Sequence, residues 1–171
     1  MRDRYQHADD QPRRRKRERG VRISRTHIGL GVFARQRYQP DEIVGEIEGT
    51  VIDDLNYSSN YCMDMGGAHC LEPGPPFRFV NHSCEPNCFF QCYDVVSPTE
   101  RTPRRRVFLV TYDPIEPGEQ LTIDYGWPPN MAIRCRCGAP TCRGWIVASD
   151  QLAEVVAGAA GTTECEAERC A

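Results

Sequence analysis

Cys135, Cys137 and Cys142 stand in a Cys-x-Cys-x4-Cys spacing that offers three thiolates from one short stretch, with Gly138 and Pro140 permitting tight turns between them. A structural tetrahedral zinc takes four such ligands, so this loop is one short; loose cysteines or a redox pair are the other readings of the same spacing. A second dense stretch, residues 78–88, reads Arg-Phe-Val-Asn-His-Ser-Cys-Glu-Pro-Asn-Cys and puts two apolar residues, a polar cluster and two cysteines into eleven positions. That is more side-chain chemistry than a plain strand or turn uses, and it is expected to line a site. Its His82 has the residue type for acid–base work. Upstream, Gly29-Leu30-Gly31 lets the backbone turn and be approached closely by another molecule, or else is an ordinary structural turn. Tyr125 closes an apolar stretch, a place where a tyrosine is usually core.

These residues need short strands and turns to hold them. Thirteen prolines and fourteen glycines in 171 residues argue against long helices. Residues 43–52 read as one alternating strand whose Glu46 and Glu48 face solvent. Residues 61–65 read as a short strand turning at Gly66-Gly67, and Tyr61 lies at its start. Residues 88–96 and 106–112 read as an antiparallel pair joined by a polar loop, and 121–125 as a brief strand after the turn residues Glu116-Pro117-Gly118. Residues 149–156 have room for one or two helical turns before a tail of small residues.

The totals bound the class. A chain of 171 residues can bury one real core. No apolar run approaches the ~18 residues of a membrane span, and the N-terminus is charged where a signal peptide is apolar. A soluble, intracellular monomer is expected, cytoplasmic in the first reading and nuclear or chromatin-bound in the alternative. Residues 1–26 hold ten of the 21 basic and four of the 24 acidic residues, a net of +6 that leaves −9 on the remainder. The acidic body suits a basic partner; the basic arm, a run without apolar periodicity read as disordered over 1–20, suits a weak nucleic-acid contact or is simply solvated. A disulfide framework does not fit an intracellular chain of this length.

Taken together, residues 78–88 resemble the Arg-Phe-x-Asn-His-Ser-Cys-x-Pro-Asn signature of SET-domain protein lysine methyltransferases. Gly118-Glu119-Gln120-Leu121-Thr122-Ile123-Asp124-Tyr125 resembles the family's second signature, and the 135–144 stretch resembles the post-SET zinc module. The resemblance covers most of residues 21–147 and implies a mainly β SET fold. Such a fold has short strands in small sheets with a pseudoknot, few short helices and a C-terminal post-SET zinc module. It divides the chain into a basic tail (1–20), a SET domain (21–128), a post-SET module (129–147) and a C-terminal tail (148–171). It implies S-adenosylmethionine held by Gly29, Leu30, Gly31, Asn81 and His82, with Trp145 as a lid on the adenine or, alternatively, an anchor of the module. It implies structural zinc on Cys84, Cys135, Cys137 and Cys142. Tyr125 becomes the catalytic tyrosine, Tyr61 a channel-lining tyrosine or a core one, and Ile123 a channel residue. Arg78 and Asn87 are expected to brace the crossing of the two signatures, while Cys62, Cys70, Cys88 and Cys92 are expected as small buried hydrophobes.

At position 123 the family usually carries an aromatic ring. Isoleucine takes less room and has no hydroxyl to hold a water beside the amine, so di- or trimethylation is expected. The function implied is methylation of a lysine in a basic protein segment, histone-like or other. A catalytically weak SET-like binding module is the rival. Lys16, the single lysine, lies within the arginine-rich run 13–19 and is expected as a site of automethylation.

Overall fold

A computed structural model describes residues 20–54, 57, 59–65, 69–96 and 104–167. The basic arm with Lys16, the Gly66-Gly67 turn, the tip of the arginine loop and Cys170 lie outside them.

Among the described residues, twelve short strands form three small sheets and a two-stranded ribbon. The first sheet carries the site. β1 (Val21–Thr26) and β2 (Gly29–Ala34) form an antiparallel hairpin. β10 (Gln120–Ile123) pairs antiparallel with β2 on one side, and parallel with β7 (Asn81–His82) on the other, Thr122 opposite Asn81 and Ile123 opposite His82. The two signature stretches therefore lie side by side. A strand from late in the chain has been inserted between elements from its first half, which is the crossing that the resemblance implies.

The second sheet, in the order β3 (Ile43–Glu46), β9 (Arg104–Thr111), β8 (Cys88–Val95), forms the scaffold behind it. The β8–β9 hairpin is antiparallel from Cys88 opposite Thr111 to Val95 opposite Arg104. The third sheet is β4 (Gly49–Ile52), β6 (Cys70–Pro73), β5 (Met63–Asp64). The stretch 43–52 is thus two strands in two sheets, not one. In the second of these strands a Cβ at Gly49 would lie 2.2 Å from the Glu72 carbonyl oxygen, so only glycine allows the close approach of β4 to β6. Glu46 also departs from the solvated face expected for it, because its carboxylate is paired with the Arg106 guanidinium and its side chain is mostly buried.

Val32, Leu109, Leu121, Val107, Ile115, Tyr38 and Cys88 are fully buried and join the first two sheets in one core. The period-2 alternation of β10, with Leu121 and Ile123 inward, fixes its register, since a slip of one residue would turn both out of the core. Beyond the 3₁₀ turn Pro129–Met131, β11 (Ile133–Arg134) and β12 (Trp145–Ile146) pair antiparallel and close the cysteine loop. α1 (Leu152–Ala167) is longer than the one or two turns expected, and no helix among the described residues is long and apolar enough to cross a membrane.

Candidate active site

Tyr125 stands two residues beyond the end of β10, after Asp124, and both of its polar ends are held by the 80–82 stretch. Its hydroxyl donates to the Val80 carbonyl at 3.0 Å, and its backbone N–H donates to His82 Nδ1 at 3.2 Å. Burial, with Tyr61 nearby, pushes the phenol up to about 12, so it remains an O–H donor at any physiological pH. It faces a cavity of about 650 Å³ also lined by Tyr61, Ile123, Phe90, Val107 and Trp127. This is a mainly apolar chamber, and Tyr57, Tyr61 and Tyr125 are the tyrosines that line it. Ile123 is 4% exposed. Tyr61 is not a core residue: it is 45% exposed, with the Arg78 guanidinium 3.8 Å from its ring centroid.

That contact removes Arg78 from the role expected for it. Arg78 pairs with Glu72 and donates to the Pro73 carbonyl at 3.3 Å, away from the crossing. Asn87 does brace the crossing. It donates to the Gln120 carbonyl at 2.8 Å and accepts from the Thr122 N–H at 2.9 Å, so one side-chain amide satisfies both backbone groups of the inserted strand.

On the opposite side of β10, Gly31 is closely packed by side chains. A Cβ there would lie 2.7 Å from Thr26 Cγ2, 2.8 Å from Gln120 Nε2 and 3.1 Å from Asn81 Nδ2. The Asn81 amide donates to the Leu30 carbonyl at 2.9 Å and so ties the hairpin to β7. Gly29, Leu30, Gly31 and Asn81 are thus brought together, with Ile28 and Leu30 exposed beside them. His82 lies in the same strand, but its ring is buried and turned to the other side, toward Tyr125 and Cys84. Trp145 is half-buried under the Arg134 guanidinium, 4.0 Å from its ring centroid, and does not line the 650 Å³ cavity.

The four cysteines expected as metal ligands converge. The sulfurs of Cys84, Cys135, Cys137 and Cys142 lie within 4.8 Å of one another, with Cys84 at 3.8 Å from Cys135 and 4.0 Å from Cys142. A zinc tetrathiolate with bonds of ~2.3 Å has an edge of about 3.8 Å, so the donor set fits zinc in both type and spacing. Burial pushes the Cys84 and Cys135 thiols up. For Cys137 burial acts the same way, yet hydrogen bonds from the Cys84 and Ala139 backbone and from the Cys135 and Cys142 thiols draw it down to about 6.

Four contacts tie this module and the segment directly after it to the body of the chain. Arg143 forks onto Asp124 at 2.7 and 2.9 Å. The Thr141 N–H reaches Glu85 Oε1 at 3.0 Å, His27 Nε2 lies 2.7 Å from the Arg136 carbonyl, and the Ala148 N–H donates to the Trp127 carbonyl at 2.8 Å. Hydrogen bonds from Arg143 and Gly126 outweigh burial and hold the Asp124 carboxyl below its ordinary range. Sequence reasoning did not single out Asp124, Arg143 or Glu85. The only signal for the first two is their position, one inside the second signature and one directly after a metal ligand. Three of the cysteines expected to be buried are half-buried instead: Cys62, Cys70 and Cys92 line the 650 Å³ cavity, and only Cys88 is core.

Comparison with known proteins agrees with this geometry. The SET domain profile matches residues 29–126. Histone-lysine N-methyltransferase set-2 of Caenorhabditis elegans is 29% identical over 147 residues, covering 76% of this chain and 9% of that protein. The H3 lysine-9 specific enzyme SUVH4 of Arabidopsis thaliana is 37% identical over 134 residues, covering 72% of this chain and 20% of its own. Among solved structures, KRYPTONITE in complex with mCHH DNA, an H3(1-15) peptide and SAH superposes with a TM-score of 0.61 at 31% identity, covering 74% of this chain and 29% of that one. The chain thus spans a small part of the relatives it matches. Their names and contents, histone and DNA, overturn the expectation of a cytoplasmic protein. That expectation rested on the lack of an export signal and of an apolar span, features that separate secreted and membrane proteins from the rest but do not separate cytoplasm from nucleus. With two signature strands paired through β7 and β10 and the profile matched across both, the chain belongs to the SET domain family.

Proposed function

We propose that the chain methylates a lysine side chain in a basic, histone-like protein segment, using S-adenosylmethionine. The observation that carries the reading is the Tyr125 hydroxyl, fixed at the wall of a mainly apolar cavity beside the crossing of the two signature strands. S-adenosylmethionine, when bound, would supply the methyl group from its sulfonium. Residues of the chain supply the remainder. A lysine amine has a reference pKa of ~10.4 and must lose its proton before it has a lone pair to offer. The walls formed by Ile123, Phe90, Val107 and Trp127 disfavour the ammonium by desolvation. Tyr125 and Tyr61 orient the amine, and orientation provides much of the rate of an in-line displacement.

Gly29, Leu30, Gly31, Asn81 and the main chain of His82 are the proposed cofactor contacts, supported by the open space beside Gly29 and by the Asn81 amide that gathers the Leu30 carbonyl next to it. Trp145 remains proposed as a lid or an anchor. Residues 21–128, 129–147 and 148–171 are the proposed body, zinc module and C-terminal segment. Ile123 leaves the amine room to be methylated more than once, which makes di- or trimethyl-lysine the proposed product. The solved relative holding both an H3 peptide and DNA supports a chromatin substrate, and residues 1–20, rich in arginine, are the proposed site of any nucleic-acid contact. The test is transfer of labelled methyl to an H3(1-15) peptide, with Tyr125→Phe as control and mass spectrometry of the product. Transfer unchanged in that variant would remove Tyr125 from the chemistry.

A further inference from the structure

Among the described histidines, His82 is the buried one, and both of its ring nitrogens are engaged. Nδ1 lies 3.2 Å from the Tyr125 backbone nitrogen. A backbone N–H can only donate, so Nδ1 must present its lone pair and the ring proton must sit on Nε2. Nε2 in turn lies 3.4 Å from Cys84 Sγ. The competing acceptor for a proton on Nδ1 is Asp124 Oδ1, at 3.4 Å. That carboxylate is already satisfied by the two-pronged Arg143 contact and by the Gly126 N–H at 3.1 Å, so it does not require the imidazole proton. A zinc-bound thiolate is an acceptor only. Cys84 would then receive two donors, the His82 Nε2–H and the Arg143 backbone N–H at 3.4 Å.

We propose that His82, as the Nε2–H tautomer, is a positioning residue that ties the Cys84 ligand of the zinc centre to the Tyr125 backbone, so that the metal site sets where the Tyr125 hydroxyl stands. The strand explains why one histidine can do this. Alternation along β7 sends Asn81 to the Leu30 carbonyl on the glycine side and His82 to the Tyr125 and cysteine side. Residues 80–82 then hold Tyr125 at both ends, Val80 at the hydroxyl and His82 at the amide. Outer hydrogen bonds of this kind fix a ligand's orientation and moderate the charge on its sulfur, and their loss typically weakens metal binding ~10–100-fold.

The link to catalysis rests on the methyl-transfer reading, but the contact itself does not. In the zinc-loaded full chain, nitrogen NMR of labelled histidine is expected to show His82 neutral with its proton on Nε2. After replacement of zinc by cadmium-113, a scalar coupling is expected between that proton and the metal, transmitted through the sulfur. His82→Ala is expected to hand zinc to a chelator about tenfold faster or more. It is also expected to lower kcat with little change in the KM for an H3(1-15) peptide, while His82→Gln, which keeps an N–H toward Cys84, restores zinc retention. A proton on Nδ1, an absent coupling, or an unchanged rate of zinc release in His82→Ala each overturns the proposal. Coupling observed in a chain that methylates no peptide supports the contact and tells against the methyl-transfer reading alone.

Discussion

A phenol can orient an amine through a wide pH range only if it keeps its proton, and Tyr125 does so because burial raises it to about 12. Its titration therefore falls outside any practical assay, and the rate of methyl transfer is expected to rise with pH as the substrate lysine deprotonates, with no decline assignable to Tyr125 below pH ~11. Tyr125→Phe removes the hydroxyl alone. A fall of ~10²–10³ in kcat is expected, the scale of losing one preorganised polar contact, with cofactor affinity by calorimetry held within about twofold. Ile123 belongs to the same scale. It is buried opposite His82 in the β7–β10 pair, so Ile123→Tyr adds both a ring and a hydroxyl to the channel wall. Mass spectrometry of the product is expected to shift from di- or trimethyl-lysine toward monomethyl-lysine.

The inserted strand β10 is legible in sequence as a brief apolar stretch ending in Asp124-Tyr125, but its neighbours are not, because parallel pairing with a two-residue strand leaves no local pattern. What the signature stretch did reveal was the convergence of Cys84 with a cysteine loop whose nearest member, Cys135, lies fifty-one residues on. Side chains whose partners are set by tertiary packing were beyond reach: Arg78 went to Glu72 and Tyr61, and Glu46 to Arg106. The hairpin carrying Gly31 gives the element-scale test. Gly31→Ala forces a methyl against Thr26 Cγ2 and Gln120 Nε2, which must shift, and crowds the Asn81 amide that donates to the Leu30 carbonyl. Cofactor affinity is expected to drop at least tenfold by calorimetry, while thermal unfolding moves by only a few degrees.

At the scale of the whole molecule, the core holds protons that an unfolded chain would give up. Burial raises Cys88, Tyr38 and Tyr125 to about 12 from ordinary values of 9.0, 10.0 and 10.0. Above pH ~9 the unfolded chain loses these protons while the folded chain retains them, so this contribution to stability is complete below pH 9 and falls away as pH rises toward 12. Denaturant midpoints are expected to decline steadily over that window. Composition and turn residues made the mainly β class readable. The site was readable as three motifs, but not the Asp124–Arg143 and His82–Cys84 contacts that join them, since neither pair has a spacing rule of its own. The central claim is that those motifs form one lysine methyl-transfer site, and the direct measurement is label transfer from S-adenosylmethionine to an H3(1-15) peptide by the zinc-loaded chain. Methylated lysine in the peptide, lost in Tyr125→Phe while cofactor binding persists, is the expected result. Cofactor and peptide both bound by the intact chain, with no label transferred, would contradict it and leave a binding module in the enzyme's place.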